Sequence, residues 1–125
     1  MAVSASTDAL KERYLTAYRW MLLARISEEK IATLYRGGKI IGGVFLSKGQ
    51  EALSAAIGMT LQPGDIFAPL IRDQAGRLAF GEDLLDCFRT YLGSRLGPMR
   101  GRDGNVHRGR PREGIIFCSV SSKFG

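Results

Sequence analysis

Leu10, Tyr14, Ala17, Tyr18, Met21, Leu22, Ile26, Ile31, Leu34 and Tyr35 follow one another at spacings dominated by three and four. That period is the repeat of an α-helix and predicts one long amphipathic helix over the first third of the chain. Asp8 is a good N-cap, with Lys11 and Glu12 in the first turn. Met1 to Thr7 are small and polar and read as a frayed end, so residues 1–9 are expected to be disordered. Gly37-Gly38 stands where a helix normally stops.

Beyond that helix the pattern changes repeatedly. Ile40, Ile41, Val44, Phe45 and Leu46, punctured by Gly42-Gly43, read as a strand-like or irregular passage. Gly49-Gln50-Glu51 opens a second helix through Ala52, Leu53, Ala56, Ile57 and Met59, ended by the turn signal Pro63-Gly64. Asp65 to Ile71 read as a buried strand, with Pro69 placing it at an edge or terminating it. A helix through Leu78 and Phe80 to Gly81 follows, then one capped by Asp83 through Leu84, Leu85, Phe88, Tyr91 and Leu92 to Gly93. Gly114 to Val120 read as a central strand. Helices alternating with short buried strands predict an α/β fold, helix-rich, with a few short and mostly parallel strands. The chain ends soon after its most strand-like segment, where a parallel strand normally feeds a covering helix. Residues 1–125 are therefore expected to be a single-domain fragment with a Gly/Arg-rich loop at 93–114.

The sequence holds 18 Lys and Arg against 12 Asp and Glu, a net charge of +6 that favours an anionic partner without identifying one. Much of the excess is Arg95, Arg100, Arg102, Arg108, Arg110 and Arg112, either a solvated loop or one that contacts an anion. Cys87 and Cys118 lie among apolar residues at no metal-binding spacing and are expected to be buried, reduced thiols. The N-terminus lacks the basic flank and apolar core of a signal peptide. No apolar run approaches the roughly 20 residues that span a bilayer. The expected location is the cytoplasm, or an organelle matrix after removal of a targeting segment.

Arg72-Asp73 stands at the carboxyl end of an expected strand, where ligands of open α/β sheets bind. An arginine there either offers a fork of donors to phosphate or pairs with Asp73. Gly49-Gln50-Glu51 brings two polar side chains to a helix start, although the helix dipole alone favours a glutamate there. His107 is the only histidine, set among glycines and arginines in Gly101 to Gly109. Its imidazole suits hydrogen bonding or general-base work near neutral pH, unless it is an exposed loop residue with no role. There is no phosphate-binding Gly-x-x-x-x-Gly-Lys loop, no convincing dinucleotide fingerprint, no paired Cys/His metal set and no Gly-x-Ser-x-Gly elbow.

Taken in order, several of these segments resemble the alpha subunit of thiamin-diphosphate-dependent 2-oxo acid dehydrogenases acting on pyruvate, branched-chain substrates or acetoin. They are Tyr18-Arg19-Trp20-Met21 with Arg25, Glu28-Glu29-Lys30, Leu34-Tyr35 and Gly37; then Gly49-Gln50-Glu51-Ala52; Pro63-Gly64-Asp65; Arg72-Asp73; and Gly101 to Gly109. The resemblance implies a thiamin-diphosphate-binding fold in which Arg72 contacts the cofactor diphosphate with Ile71 beside it. His107 would be the catalytic candidate in the loop leading to the cofactor. Gln50 would lie near the active-site entrance, and Phe45 and Leu46 would line the substrate pocket. Ser119 and Ser121 would stand for the serine-containing segment of the cofactor site. It further implies magnesium, bound by a Gly-Asp-Gly motif and an asparagine further along such chains, with no metal ligand within this one. A beta subunit that completes the site and a lipoyl-bearing acyltransferase are the implied partners, in an oligomer.

This sequence departs from that family pattern where Ile71 replaces a tyrosine and Phe45 replaces a histidine. The stretch from Phe117 to Gly125, including Ser122, also follows it poorly. On its own the chain is expected to be inactive in decarboxylation. Two other readings compete: a non-catalytic helical module that associates with itself or a partner, and a nucleic-acid binder. The arginine loop lacks the interleaved aromatics that stack on bases, which makes nucleic acid the weaker of the two.

Overall fold

In the computed structural model, residues 2–103 and 107–116 are described. They form four helices, α1 (Ala2–Arg36), α2 (Glu51–Thr60), α3 (Gln74–Phe80) and α4 (Leu84–Tyr91), and a 3-10 turn at Pro111–Glu113. Helix α1 begins at Ala2, so the segment expected to be frayed is helical and Asp8 lies within the helix instead of capping it. Its 35 residues reach about 52 Å at 1.5 Å per residue. It stops at Arg36 because Gly38 turns the backbone to φ 71°, a left-handed conformation that a side chain disfavours. The Gly37 and Lys39 amides then return to the Thr33 and Leu34 carbonyls.

Only part of α1 is covered. Ala24, Ser27, Glu28 and Ile31 are buried, whereas Leu10, Tyr14, Tyr18, Leu22 and Ile26 are exposed. The periodicity in the sequence therefore contains two stripes, and the described core takes the one built on small and polar residues. The uncovered five are spaced four apart and form one ridge along the helix.

Small residues let the first three helices meet closely. Ala24, Ala55 and Ala75 pack with Leu78, and Trp20, Met21 and Leu84 close over them. Helices α2 and α3 cross at two glycines. A Cβ built on Gly58 would stand 2.3 Å from the Gly76 carbonyl oxygen, and one on Gly76 would stand 2.6 Å from the Ser54 carbonyl oxygen. The Gly76 amide donates to Ser54 Oγ at 2.8 Å across this crossing. A second cluster, Ile31, Ile40, Cys87 and Tyr91, joins α1 to α4 through Leu34, Val44, Ile71, Leu84 and Phe88. Asp83 caps α4 as its sequence position implied, accepting from the Leu85 amide at 2.9 Å. Cys87 is fully buried and free, as expected, whereas Cys118 lies outside the described residues.

The expected strands do not form among the described residues. Two isolated bridges stand in their place, a parallel one between Phe67 and Ile115 and an antiparallel one between Arg110 and Ile115. The parallel bridge is held by Phe67 N–H to the Gly114 carbonyl at 2.7 Å and Ile116 N–H to the Phe67 carbonyl at 3.0 Å. It cannot lengthen past Pro69, which lacks an amide hydrogen. Residues 65–71 are buried at Phe67 and Pro69 but exposed at Ile66, Ala68 and Leu70, so this segment has one covered face and not two. The passage at 40–46, read as strand-like or irregular, is irregular: it has no strand partner among the described residues, and Ile41 is fully exposed. Of the strand expected at Gly114 to Val120, residues 117–120 lie outside the described residues. No helix among the described residues is long and apolar enough to cross a membrane.

Candidate functional site

Arg72 occupies a four-residue turn from Leu70 to Asp73, just ahead of α3. Two hydrogen bonds close the turn: the Asp73 amide donates to the Leu70 carbonyl at 3.1 Å, and the Leu70 amide donates to Asp73 Oδ2 at 2.7 Å. Asp73 is thus committed to its own turn and does not pair with Arg72. Ile71 faces inward against the α1–α4 cluster. Arg72 is exposed and takes no hydrogen-bond or ion-pair partner among the described residues. Its fork of donors faces solvent.

The passage carrying Phe45, Leu46 and Gln50 is fixed from α1. The buried Glu28 carboxylate accepts from the Ser47 amide at 3.0 and 2.9 Å and from Ser47 Oγ at 2.7 Å. Burial pushes the Glu28 carboxyl above its usual range, even though these bonds favour the ionised form. Glu51 reinforces the same corner, receiving Arg25 Nε at 2.6 Å and the Gly49 amide at 2.8 Å. The Arg25 hydrogen bond holds the Glu51 carboxyl below the ordinary range. Phe45 and Gln50 are exposed and Leu46 is half-buried on this fixed passage. A cleft of about 370 Å³ opens beside it, lined by Lys39, Ile41, Gly42, Tyr91, Leu92, Gly93 and Gly101, and none of the expected site residues lines it.

His107 is half-buried, with Nδ1 2.9 Å from Asp103 Oδ2. Its neighbour Arg108 does not extend into solvent as a loop arginine would. Arg108 is 3% exposed and Arg77 1% exposed, and both guanidinium groups meet Glu82. Arg108 Nε and Nη2 donate to the two Glu82 oxygens at 2.8 and 3.0 Å, and Nη2 also donates to Gln74 Oε1 at 2.6 Å. Arg77 Nε reaches both Glu82 oxygens at 3.2 Å, while its Nη2 donates to the Arg108 carbonyl at 2.6 Å. Burial alone would raise the Glu82 carboxyl, but Arg108 and Arg77 pull it below the ordinary carboxylate range. The Arg108 guanidinium also lies over the Tyr91 ring, 5.9 Å from its centroid. Burial pushes the Cys87 thiol and the Tyr91 phenol up. Gln74 Nε2 is buried without a hydrogen-bond partner among the described residues.

Residues 18–121 match the family described as dehydrogenase E1 component. The chain belongs to that family. It is 35% identical over 98 residues to the pyruvate dehydrogenase E1 component subunit alpha of Rickettsia prowazekii, covering 78% of this chain and 30% of that protein. It is 38% identical over 97 residues to the corresponding subunit of Rhizobium meliloti, covering 78% and 28%. It is 32% identical over 106 residues to the chloroplastic subunit alpha-3 of Oryza sativa subsp. japonica, covering 85% and 25%. Each match thus covers between a quarter and a third of the relative's length.

Within this dehydrogenase E1 chain, the candidate residues fall on separate segments: 45–50, 71–72 and 107. Ser119 and Ser121 lie outside the described residues. No group of three His, Cys, Asp or Glu among the described residues is arranged to hold a metal ion. Sequence reasoning passed over Glu28, Ser47, Gln74, Arg77, Glu82 and Arg108 as polar anchors. One local signal existed: Arg77 and Glu82 bracket the Gly81 helix stop, an ion pair of opposite charges five residues apart. Arg108 carried no such signal, because its partners lie 26 and 34 residues away.

Proposed function

We propose that this chain forms part of the alpha subunit of a thiamin-diphosphate-dependent 2-oxo acid dehydrogenase and contributes the diphosphate-contacting arginine of its cofactor site. The observation that carries this reading is the exposed guanidinium of Arg72, unpartnered among the described residues, on a turn matched to the family and with Asp73 hydrogen-bonded away from it. That arrangement fits a diphosphate. Two anionic oxygens of one phosphate match the planar guanidinium fork, and no internal carboxylate has to be displaced first.

Thiamin diphosphate bound there would supply the nucleophilic carbon and the electron sink for decarboxylation of a 2-oxo acid. This chain's own residues do the rest of the local work. Arg72 binds the diphosphate and sets its position, with Ile71 as the apolar support beneath it. His107 holds a proton near the reacting end. Phe45 and Leu46 give an apolar wall that excludes water, and Gln50 stands at the entrance with its amide. Ser119 and Ser121 stay assigned to the cofactor side, and magnesium to ligands beyond this chain. A beta subunit and a lipoyl-bearing acyltransferase complete the reaction in an oligomer. The exposed ridge Leu10, Tyr14, Tyr18, Leu22 and Ile26 supports that assembly, since an apolar row of this length is normally covered.

Calorimetric titration of this chain with thiamin diphosphate and magnesium, with pyrophosphate as the control, tests the reading. Binding of both ligands that falls at least tenfold in Arg72→Ala is the expected result. Affinity unchanged by Arg72→Ala would remove Arg72 from the site.

A further inference from the structure

The chain around His107 is braced from α3, from the turn after it and from α4. Arg77 holds the Arg108 carbonyl, while Glu82 and Gln74 hold the Arg108 guanidinium, all in the interior. Two residues further on, Arg110 Nε donates to Asp86 of α4 at 2.7 Å, and its Nη2 reaches the same oxygen. The Arg110 amide and carbonyl pair with Ile115 at 2.7 and 3.2 Å. Burying a guanidinium is costly unless it is fully paired. A loop needing only to pass over the surface gains nothing from burying Arg108. A loop that must hold its next residue in one place gains a fixed main chain.

We propose that the Arg77–Glu82–Arg108 brace sets the place and ring orientation of His107, with Arg77 and Glu82 acting as positioning residues. The inference rests on His107 being a site residue and deepens that reading. Arg108 directly follows His107, so gripping its main chain and its side chain fixes the direction in which the preceding side chain leaves the backbone. The ring is then turned so that Nδ1 meets Asp103 Oδ2 at 2.9 Å. In the neutral ring, a nitrogen facing a carboxylate is the one that carries the proton. The brace therefore favours the Nδ1–H tautomer of His107.

His107 is the only histidine in the chain, so its imidazole nitrogens give an unambiguous signal in a long-range nitrogen–proton spectrum. In mildly alkaline buffer the native chain is expected to show mainly the Nδ1–H tautomer. Glu82→Gln keeps the side-chain volume and weakens the grip on Arg108. It is expected to lower the ratio of Nδ1–H to Nε2–H by about tenfold, the loss of one hydrogen bond to a charged group, while the circular dichroism stays helical. The double variant Arg77→Met/Glu82→Gln removes one charge of each sign and serves if the single variant does not fold. A folded variant that keeps the native tautomer overturns the proposal, as does a native chain dominated by Nε2–H. Unfolding of both variants also overturns it, because the brace would then hold the fold and not the ring. The spectrum needs no cofactor, so its outcome is independent of whether Arg72 binds pyrophosphate.

Discussion

Replacing Gly58 with alanine pits two known effects against each other. Alanine is favoured over glycine inside a helix by about 1 kcal/mol, so an open site on α2 would gain stability. Here the new Cβ would stand 2.3 Å from the Gly76 carbonyl oxygen, 2.7 Å from the Gly76 Cα and 2.9 Å from the Ala79 Cβ. Two of these are backbone atoms of α3 and cannot swing aside. Relaxing 2.3 Å to the 3.4 Å of ordinary contact asks α2 and α3 to part by about 1.1 Å. A gap of that order forfeits about a quarter to a half of each dispersion well across the crossing. It also stretches the 2.8 Å bond from the Gly76 amide to Ser54 Oγ beyond hydrogen-bonding range, a further loss of about 1 kcal/mol. Overpacking of this kind costs about 1–3 kcal/mol, and with the lost bond it exceeds the gain in propensity. Gly58→Ala is therefore expected to be less stable by about 2 kcal/mol, read as a lower urea midpoint at unchanged slope. A variant as stable as the native chain, or more so, would falsify the close crossing as a constraint on the fold.

Glu82 and Glu28 should act on stability in opposite pH ranges. The Glu82 carboxyl is held below its ordinary 4.5, so its contribution is present above that value and is lost as pH falls through the depressed one. The Glu28 carboxyl is raised above 4.5, so folding favours its protonated form, and that contribution is lost as pH rises through the raised value. Urea titrations across acid pH should show Glu28→Gln without the second loss and Glu82→Gln without the first. If both profiles overlay the native one, these carboxyls are not coupled to folding. Asp83→Ala removes the cap on the Leu85 amide and should cost about 1 kcal/mol in the same titration, with no change pointing to a cap supplied by water. In a Cys118→Ser background, Cys87 should react with a thiol reagent only as fast as the chain opens, since the group is fully buried. Reaction at the rate of a free thiol would place it at the surface.

The punctuation of the fold was legible because it is local. Gly37-Gly38, Gly81, Asp83 and Gly93 mark the ends of helices through backbone geometry and capping that depend on neighbouring residues alone. Strands need a partner, and an apolar run such as 65–71 cannot announce that its only described partnership is one bridge to Ile115. The buried face of α1 misled for a related reason. Its large residues, Tyr14, Tyr18 and Ile26, are more conspicuous than Ala24 and Ser27, yet the smaller residues allow α2 and α3 to approach. At the candidate site, the position of Arg72 just ahead of a helix was legible, although the four-residue turn that carries it stands where a strand end was expected. The brace behind His107 was not, since it depends on residues far apart in the chain meeting around one carboxylate.

The exposed row on α1 carries information about angle as well as about contact. Residues four apart do not run parallel to a helix axis; their line is inclined to it by about 26°. A helix that settles beside Leu10, Tyr14, Tyr18, Leu22 and Ile26 with a similar row of its own must cross α1 at about −50°, the commonest packing class. Contact under such a steep crossing is confined to a short central stretch. Tyr18 and its immediate neighbours would then carry most of the association, while Leu10 and Ile26, at the two ends, would tolerate substitution.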